Sequence, residues 1–127
     1  MPTQTVLLVD DNAAVRSALR SFLEGRIEFS HIEEAANGAD AIEKAKLIQP
    51  NVVLMDFSMP GINGIEASSV IKGSLPFTKI FLFTLHSGGV STRVAKAAGI
   101  DVVVSKEQGL TGLKKALEDL LADKIPS

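Results

Sequence analysis

The 127-residue chain contains no cysteine. A disulfide scaffold, a thiolate zinc site and a cysteine nucleophile are therefore excluded. An excess of charge of either sign is also lacking: 13 basic and 15 acidic side chains leave a formal net charge of −2. That balance does not suit a domain that grips nucleic acid by neutralising phosphates, nor a polybasic membrane surface. Long apolar runs are missing too. The longest, such as Val6–Val9 and Ile80–Phe83, hold four residues each, against the ~20 that a membrane helix needs. The opening Met1-Pro2-Thr3-Gln4-Thr5 has neither the basic nor the apolar region of a secretory signal. The expectation is a soluble cytoplasmic domain. What the chain does have is apolar content, 46% hydrophobic residues, enough for one domain of this length to bury a core without staples.

Apolar runs alternate with amphipathic stretches. The runs Val6–Val9, Val52–Met55, Ile80–Phe83 and Val102–Val104 are short and rich in valine, isoleucine and phenylalanine. Uninterrupted apolarity at that length fits strands buried on both faces, the habit of parallel sheets. A weaker run, His31–Ala35, alternates and suits a less buried strand, with His31 simply a strand residue. Between the runs, Val15, Ala18, Leu19 and Phe22 repeat at helical spacing, with Gly25 as a stop. Ala41, Ala45 and Ile48 do so after the Asn37-Gly38 turn. Val90, Val94, Ala97 and Ala98 mark a further helix ended by Gly99, and Leu110, Leu113, Leu117, Leu120 and Leu121 mark the last. The segment Gly64–Lys72 is less periodic and is also read as a helix. The sum is βα repeated five times in a single domain, residues 1–127. Right-handed crossovers then give a doubly wound parallel sheet with helices on both faces. There is no internal repeat. Residues 123–127 leave the helical pattern and read either as a native end or as the start of a linker to an output domain.

In an open parallel sheet, chemistry gathers beyond the carboxyl ends of the strands. Asp10 and Asp11 follow the first apolar run, Asp56 the third in order, Thr84 the fourth, and Ser105-Lys106 the last. Each has an ordinary reading. Asp10 and Asp11 taken alone read best as caps for a helix beginning near Asn12. Asp56 can open the turn before Pro60-Gly61. Thr84 can be a strand-end hydroxyl, and Lys106 a solvated lysine. Their joint placement at one edge outweighs those readings. Two like charges ~4 Å apart repel by roughly 4 kcal/mol at an effective dielectric near 20. Three carboxylates therefore call for a hard divalent cation such as Mg²⁺. Metal, ammonium and hydroxyl around a carboxylate make a pocket for a phosphoryl group, and the carboxylate can itself be the nucleophile.

These residues resemble the receiver domain of two-component response regulators. The resemblance rests on Val9-Asp10-Asp11-Asn12, on Val53-Leu54-Met55-Asp56-Phe57-Ser58-Met59-Pro60-Gly61-Ile62-Asn63-Gly64, on Phe83-Thr84 and on Ser105-Lys106. It spans essentially the whole chain, in order and at the family's spacing. The run from Asn51 to Glu66 looks most like receivers that carry LuxR/NarL-type helix-turn-helix outputs. The resemblance implies a flavodoxin-like (βα)5 fold with strand order 2-1-3-4-5. It implies Asp56 as phosphoacceptor and Mg²⁺ held by Asp11, Asp56 and the Ser58 backbone carbonyl, with Asp10 acting through metal-bound water. Lys106 would pair with the phosphoryl oxygens and Thr84 would swing in to hydrogen-bond them. A histidine kinase or histidine phosphotransfer protein would supply the phosphoryl group. The output would be a change of association, such as homodimerisation, or release of an attached domain. DNA would be contacted only through that separate domain.

Three positions depart from the family's usual pattern. Val103 stands where many receivers carry an aromatic switch residue. Leu85 stands where a small residue is usual and would narrow access to the phosphate. Glu107 replaces the proline that often follows the lysine. Ser58 and His86 fall at positions that flank the phosphoryl group and would tune its lifetime, while a solvent-facing His86 is the plainer alternative. Three other function classes fit these residues less well. A haloacid-dehalogenase-like phosphatase would need an acid/base carboxylate at position 58, where Ser58 stands. A contact-only interaction module would not need the full acidic set. A flavin or nucleotide domain is disfavoured because no glycine-rich phosphate loop follows the first strand.

Overall fold

The computed structural model describes residues 4–25, 29–84 and 92–105, together with 111, 112, 115, 116, 118 and 119. Along the chain run β1 (Gln4–Val9), α1 (Ala13–Glu24), β2 (Phe29–Ala35), α2 (Gly38–Ile48), β3 (Val52–Asp56), α3 (Gly64–Ser74), β4 (Lys79–Thr84), α4 (Thr92–Ala97) and β5 (Val102–Ser105). The strands form one sheet in the order β2-β1-β3-β4-β5, with every pair parallel. This is the expected doubly wound order. Residues 111, 112, 115, 116, 118 and 119 are helical, where the last helix is expected. Val90, Leu110, Leu113, Leu117, Leu120 and Leu121 lie outside the described residues.

Alternation along each strand sends neighbouring side chains to opposite faces, and both faces are covered. Val6, Leu8, Leu54, Phe81 and Phe83 pack with Leu19 and Leu23 of α1. Leu7, Val9, Val53, Met55, Ile80 and Leu82 pack with Ala41 and Ala45 of α2, Ala67 and Ile71 of α3, and Ala95 and Ala98 at α4. That two-sided burial is why the central strands read as continuous apolar runs. Each fully buried aliphatic or aromatic side chain contributes roughly 1.5–3 kcal/mol. β2 and β5 are the two edge strands, and the middle of β2 is partly solvent-exposed, which is why its apolar run is interrupted by polar residues.

One apolar face differs from its reading. The spacing puts Val94, Ala97 and Ala98 inside; Ala98 is buried, but Val94 and Ala97 are exposed and Ala95 is buried in their place. With few core-facing positions in so short a helix, the valine's apolarity outweighed the alanines in the pattern, although the small alanines are what close packing on the sheet accepts.

Helices α1, α2 and α3 start in the same way. Asn12, Asn37 and Asn63 are their N-caps, each accepting hydrogen bonds from backbone N–H groups of the first turn. Asn63 and Glu66 complete a reciprocal capping box. All three caps follow strands directly or after a short loop. The strand carboxyl edge is thus lined by helix amino termini, whose partial positive charge faces the acidic residues gathered there. At the opposite edge, Asn51 accepts from the Thr5 N–H (2.8 Å) through its side chain and ties β1 to β3.

Candidate functional site

The sheet order reverses between β1 and β3: the chain leaves β1 for one side and enters β3 on the other. Ligand sites of doubly wound folds sit at the carboxyl ends of the strands flanking such a reversal. Asp10 follows β1 directly and Asp56 closes β3, so both aspartates emerge there. Asp10 is 1% exposed and Asp56 2%, while Asp11 is exposed. One carboxylate oxygen from each of the three lies within 4.8 Å of the others. The sequence expectation that these three converge is met.

Capping is not what the aspartates do. The cap of α1 is Asn12, whose Oδ1 accepts from Ala14 N (2.8 Å) and Val15 N (3.2 Å). Asp10 instead accepts from the Asn12 N–H at 2.9 Å, and its own N–H donates to the Ala35 carbonyl at 3.2 Å. An asparagine one position further on thus does the capping, and the aspartate pair is not committed to the helix.

Asp56 is set by the loop after it. The Ser58 N–H folds back towards Asp56 Oδ1 (3.4 Å), and Phe57 N donates to the Phe83 carbonyl at 2.8 Å. Met59 is buried in the core, which pins the loop from below. Gly61 follows at φ +79°, a conformation that favours glycine. The Gly64 N–H then donates to the Phe57 carbonyl at 3.0 Å and brings α3 against the strand end.

Thr84 closes β4 and pairs with Ser105, the last residue of β5, so its backbone stands at the same edge. Its side chain lies outside the described residues, as do Leu85, His86, Lys106 and Glu107. Val103 pairs with Leu82 and is half-buried against the core.

The donor set is all oxygen. Three carboxylates this close, two of them buried, suit a hard divalent cation with few protein ligands. At an effective dielectric near 20, the two buried carboxylates, Asp10 and Asp56, repel by roughly 3–4 kcal/mol; solvent screens the exposed Asp11, and a divalent ion offsets the repulsion. The residues present therefore fit Mg²⁺.

The sequence reading missed a network beside the acidic edge. Glu34 on β2 receives Arg16 Nε at 2.9 Å and Arg20 Nε at 2.6 Å, one on each carboxylate oxygen. Arg16 Nη1 also donates to the Asp10 carbonyl at 2.6 Å, and Arg20 Nη2 to the Ile32 carbonyl at 2.8 Å. The signal was Arg16 and Arg20 one turn apart on α1, facing an acidic position of an alternating edge strand. The Arg20 hydrogen bond, followed by that of Arg16, holds the Glu34 carboxyl below its ordinary range against the opposing effect of burial. A depressed carboxyl contributes stability above its unfolded value, ~4.3, and loses it as pH falls through the folded value. Wild type should therefore exceed Glu34→Gln in melting temperature at pH 7. The gap should close as pH falls from about 5 towards 3. A gap independent of pH would contradict the ion-pair account.

The response regulator receiver domain family matches residues 6–118 of the chain. The chain belongs to this family. The transcriptional regulatory protein LnrK of Bacillus subtilis (strain 168) is 38% identical over 120 residues, covering 94% of this chain and 49% of that protein. The structure of a LuxR family two-component response regulator from Aurantimonas sp. SI85-9A1 superposes with a TM-score of 0.85 at 33% identity, covering 95% of this chain and 86% of that one. The response regulator TrrA of Thermotoga maritima, solved in complex with Mg²⁺-BeF, gives 0.81 at 30% identity, covering 93% and 99%. The receiver domain spans about half the length of the first curated relatives it matches. No described helix is long and apolar enough to cross a membrane.

Proposed function

We propose that this receiver domain is a phosphorylation-dependent switch with Asp56 as phosphoacceptor. The observation that carries the reading is the buried Asp56 carboxylate within 4.8 Å of Asp10 and Asp11 at the chain reversal. Asp11, Asp56 and the Ser58 carbonyl would hold Mg²⁺, with Asp10 acting through a bound water. Mg²⁺ there would offset charge on the phosphoryl oxygens. The bound Mg²⁺-BeF of TrrA supports the same role here.

The donor is a phosphohistidine on a histidine kinase or phosphotransfer protein. An Asp56 oxygen attacks phosphorus and forms an O–P bond. The P–N bond breaks with its electron pair left on the imidazole nitrogen, which is protonated. Lys106 pairs with the transferred oxygens and Thr84 donates a hydroxyl hydrogen bond to them. Water attacking the same phosphorus later restores the carboxylate and releases inorganic phosphate. The domain thus promotes only its own phosphorylation and dephosphorylation. Leu85 restricts access to the phosphoryl group and His86 tunes its lifetime.

Phosphorylation shifts the population towards an active state already accessible. With Val103 rather than a ring on β5, the shift passes through the ends of β4 and β5 without an aromatic swing. The output is homodimerisation or release of an attached domain. Residues 1–127 form the receiver, with 123–127 leading to a DNA-binding output in a cytoplasmic transcriptional regulator, the architecture that the LuxR-type relatives favour.

Intact-mass spectrometry after incubation with Mg²⁺ and acetyl phosphate, then with a phosphorylated kinase, tests the reading. Wild type should gain one phosphoryl group and Asp56→Asn none. Equal gain in both proteins would remove Asp56 from the role.

A further inference from the structure

Asp10 is fixed from three directions. Its N–H donates to the Ala35 carbonyl at the end of β2, and its Oδ1 accepts from the Asn12 N–H. Its carbonyl, in the peptide group that joins it to Asp11, accepts from Arg16 Nη1 at 2.6 Å. Arg16 is itself held, because its Nε donates to Glu34 Oε1 at 2.9 Å with both side chains largely covered. The other oxygen of Glu34 takes Arg20, whose second contact is the Ile32 carbonyl, one strand away from the aspartates. A planar guanidinium presents several donors in a fixed fork, so one arginine can orient a carbonyl while anchored by a carboxylate.

We propose that Arg16, oriented by Glu34, is a positioning residue for the acidic centre: it fixes the Asp10–Asp11 peptide so that both carboxylates are preset to receive the cation. The inference rests on the reading of the three aspartates as a Mg²⁺ site. Its sign separates it from simple electrostatics. A guanidinium acting through charge alone repels a divalent cation, so removing it would tighten Mg²⁺ binding. A positioning guanidinium predicts weaker binding on removal. Partners that orient metal ligands are typically worth 10–100-fold in affinity.

The test is calorimetric titration of the metal-free protein with MgCl₂, alongside thermal melts, for wild type, Arg16→Ala, Arg16→Lys, Arg20→Ala, Glu34→Gln and Arg16→Ala/Glu34→Gln. Arg16→Ala should weaken Mg²⁺ about tenfold. Arg16→Lys, which keeps charge but not the fork, should recover only part. Arg20→Ala should lower the melting temperature with less than a twofold change in Mg²⁺ affinity. Glu34→Gln should weaken Mg²⁺ in wild type but add nothing to Arg16→Ala. Unchanged or tighter Mg²⁺ binding in Arg16→Ala would overturn the inference and leave the metal site standing. Should Arg16→Ala fail to fold, Arg16→Lys binding as tightly as wild type would overturn it equally. Absence of Mg²⁺ binding in folded wild type would overturn the metal reading and this inference together.

Discussion

Gly64→Ala should lower stability by roughly 2–3 kcal/mol, the upper part of the ~1–3 kcal/mol that forcing extra atoms into a packed site costs, and the melting temperature by on the order of 10 °C. Gly64 opens α3 directly against the end of β3. A Cβ there would collide with the Asp56 carbonyl oxygen, come within 2.9 Å of Phe57 Cα and lie 3.0 Å from Leu82 Cδ1. Two of those neighbours are backbone and cannot turn aside. Relief requires α3 to move off the strand that carries Asp56. Mg²⁺ affinity and phosphorylation should therefore fall with stability. Gly73→Ala is the matched control in the same helix, because a Cβ at Gly73 meets nothing within 4 Å. Helix propensity then makes that change stabilising by up to about 1 kcal/mol. Thermal melts of the two variants should move in opposite directions. A Gly64→Ala protein as stable as wild type would contradict the packing at the site.

Asp11→Asn should raise stability without metal and lose most of the stabilisation that Mg²⁺ confers. Asp11 is the exposed member of three carboxylates that approach within 4.8 Å. Solvent screens its repulsion, so removing the charge is worth about 1 kcal/mol or less. A cation that binds only the folded state adds about 2.7 kcal/mol at a hundred times its dissociation constant. Wild type should gain this as MgCl₂ is raised, and the variant should gain little. The two stability curves should therefore cross. Denaturant melts with EDTA and over a MgCl₂ series check both signs. A variant weaker than wild type in EDTA yet equally stabilised by Mg²⁺ would show that Asp11 is structural.

The fold was legible because two-sided burial writes itself into sequence as short continuous apolar runs. Val6–Val9, Val52–Met55 and Ile80–Phe83 each fell inside an observed strand. The acidic centre was legible for a related reason. A residue that follows a buried parallel strand must emerge at its carboxyl edge, so Asp10, Asp11 and Asp56 were placed together by topology. What escaped the sequence depends on contacts between elements. That Asn12 caps α1 is settled by where the helix starts, and one position decides it. The partnership of Arg16 with Glu34 and the Asp10 carbonyl requires α1 to cross β2 at a given angle. The need for glycine at position 64 comes from how closely α3 approaches Asp56, not from backbone conformation. The face of α4 differs for the same reason, since packing distance to the sheet selected Ala95, beside the expected Ala98, over Val94.

The most direct test of the central claim is to locate the phosphoryl group. The protein would be phosphorylated in Mg²⁺ and reduced with borohydride, which converts an aspartyl phosphate to homoserine. Tandem mass spectrometry of the peptides carrying Asp10-Asp11 and Val52–Asp56 would then be read. Homoserine should appear at position 56, and neither at Asp10 nor at Asp11. Conversion at either of those residues, or a stable phosphoryl group on a hydroxyl such as Ser58, would contradict the account.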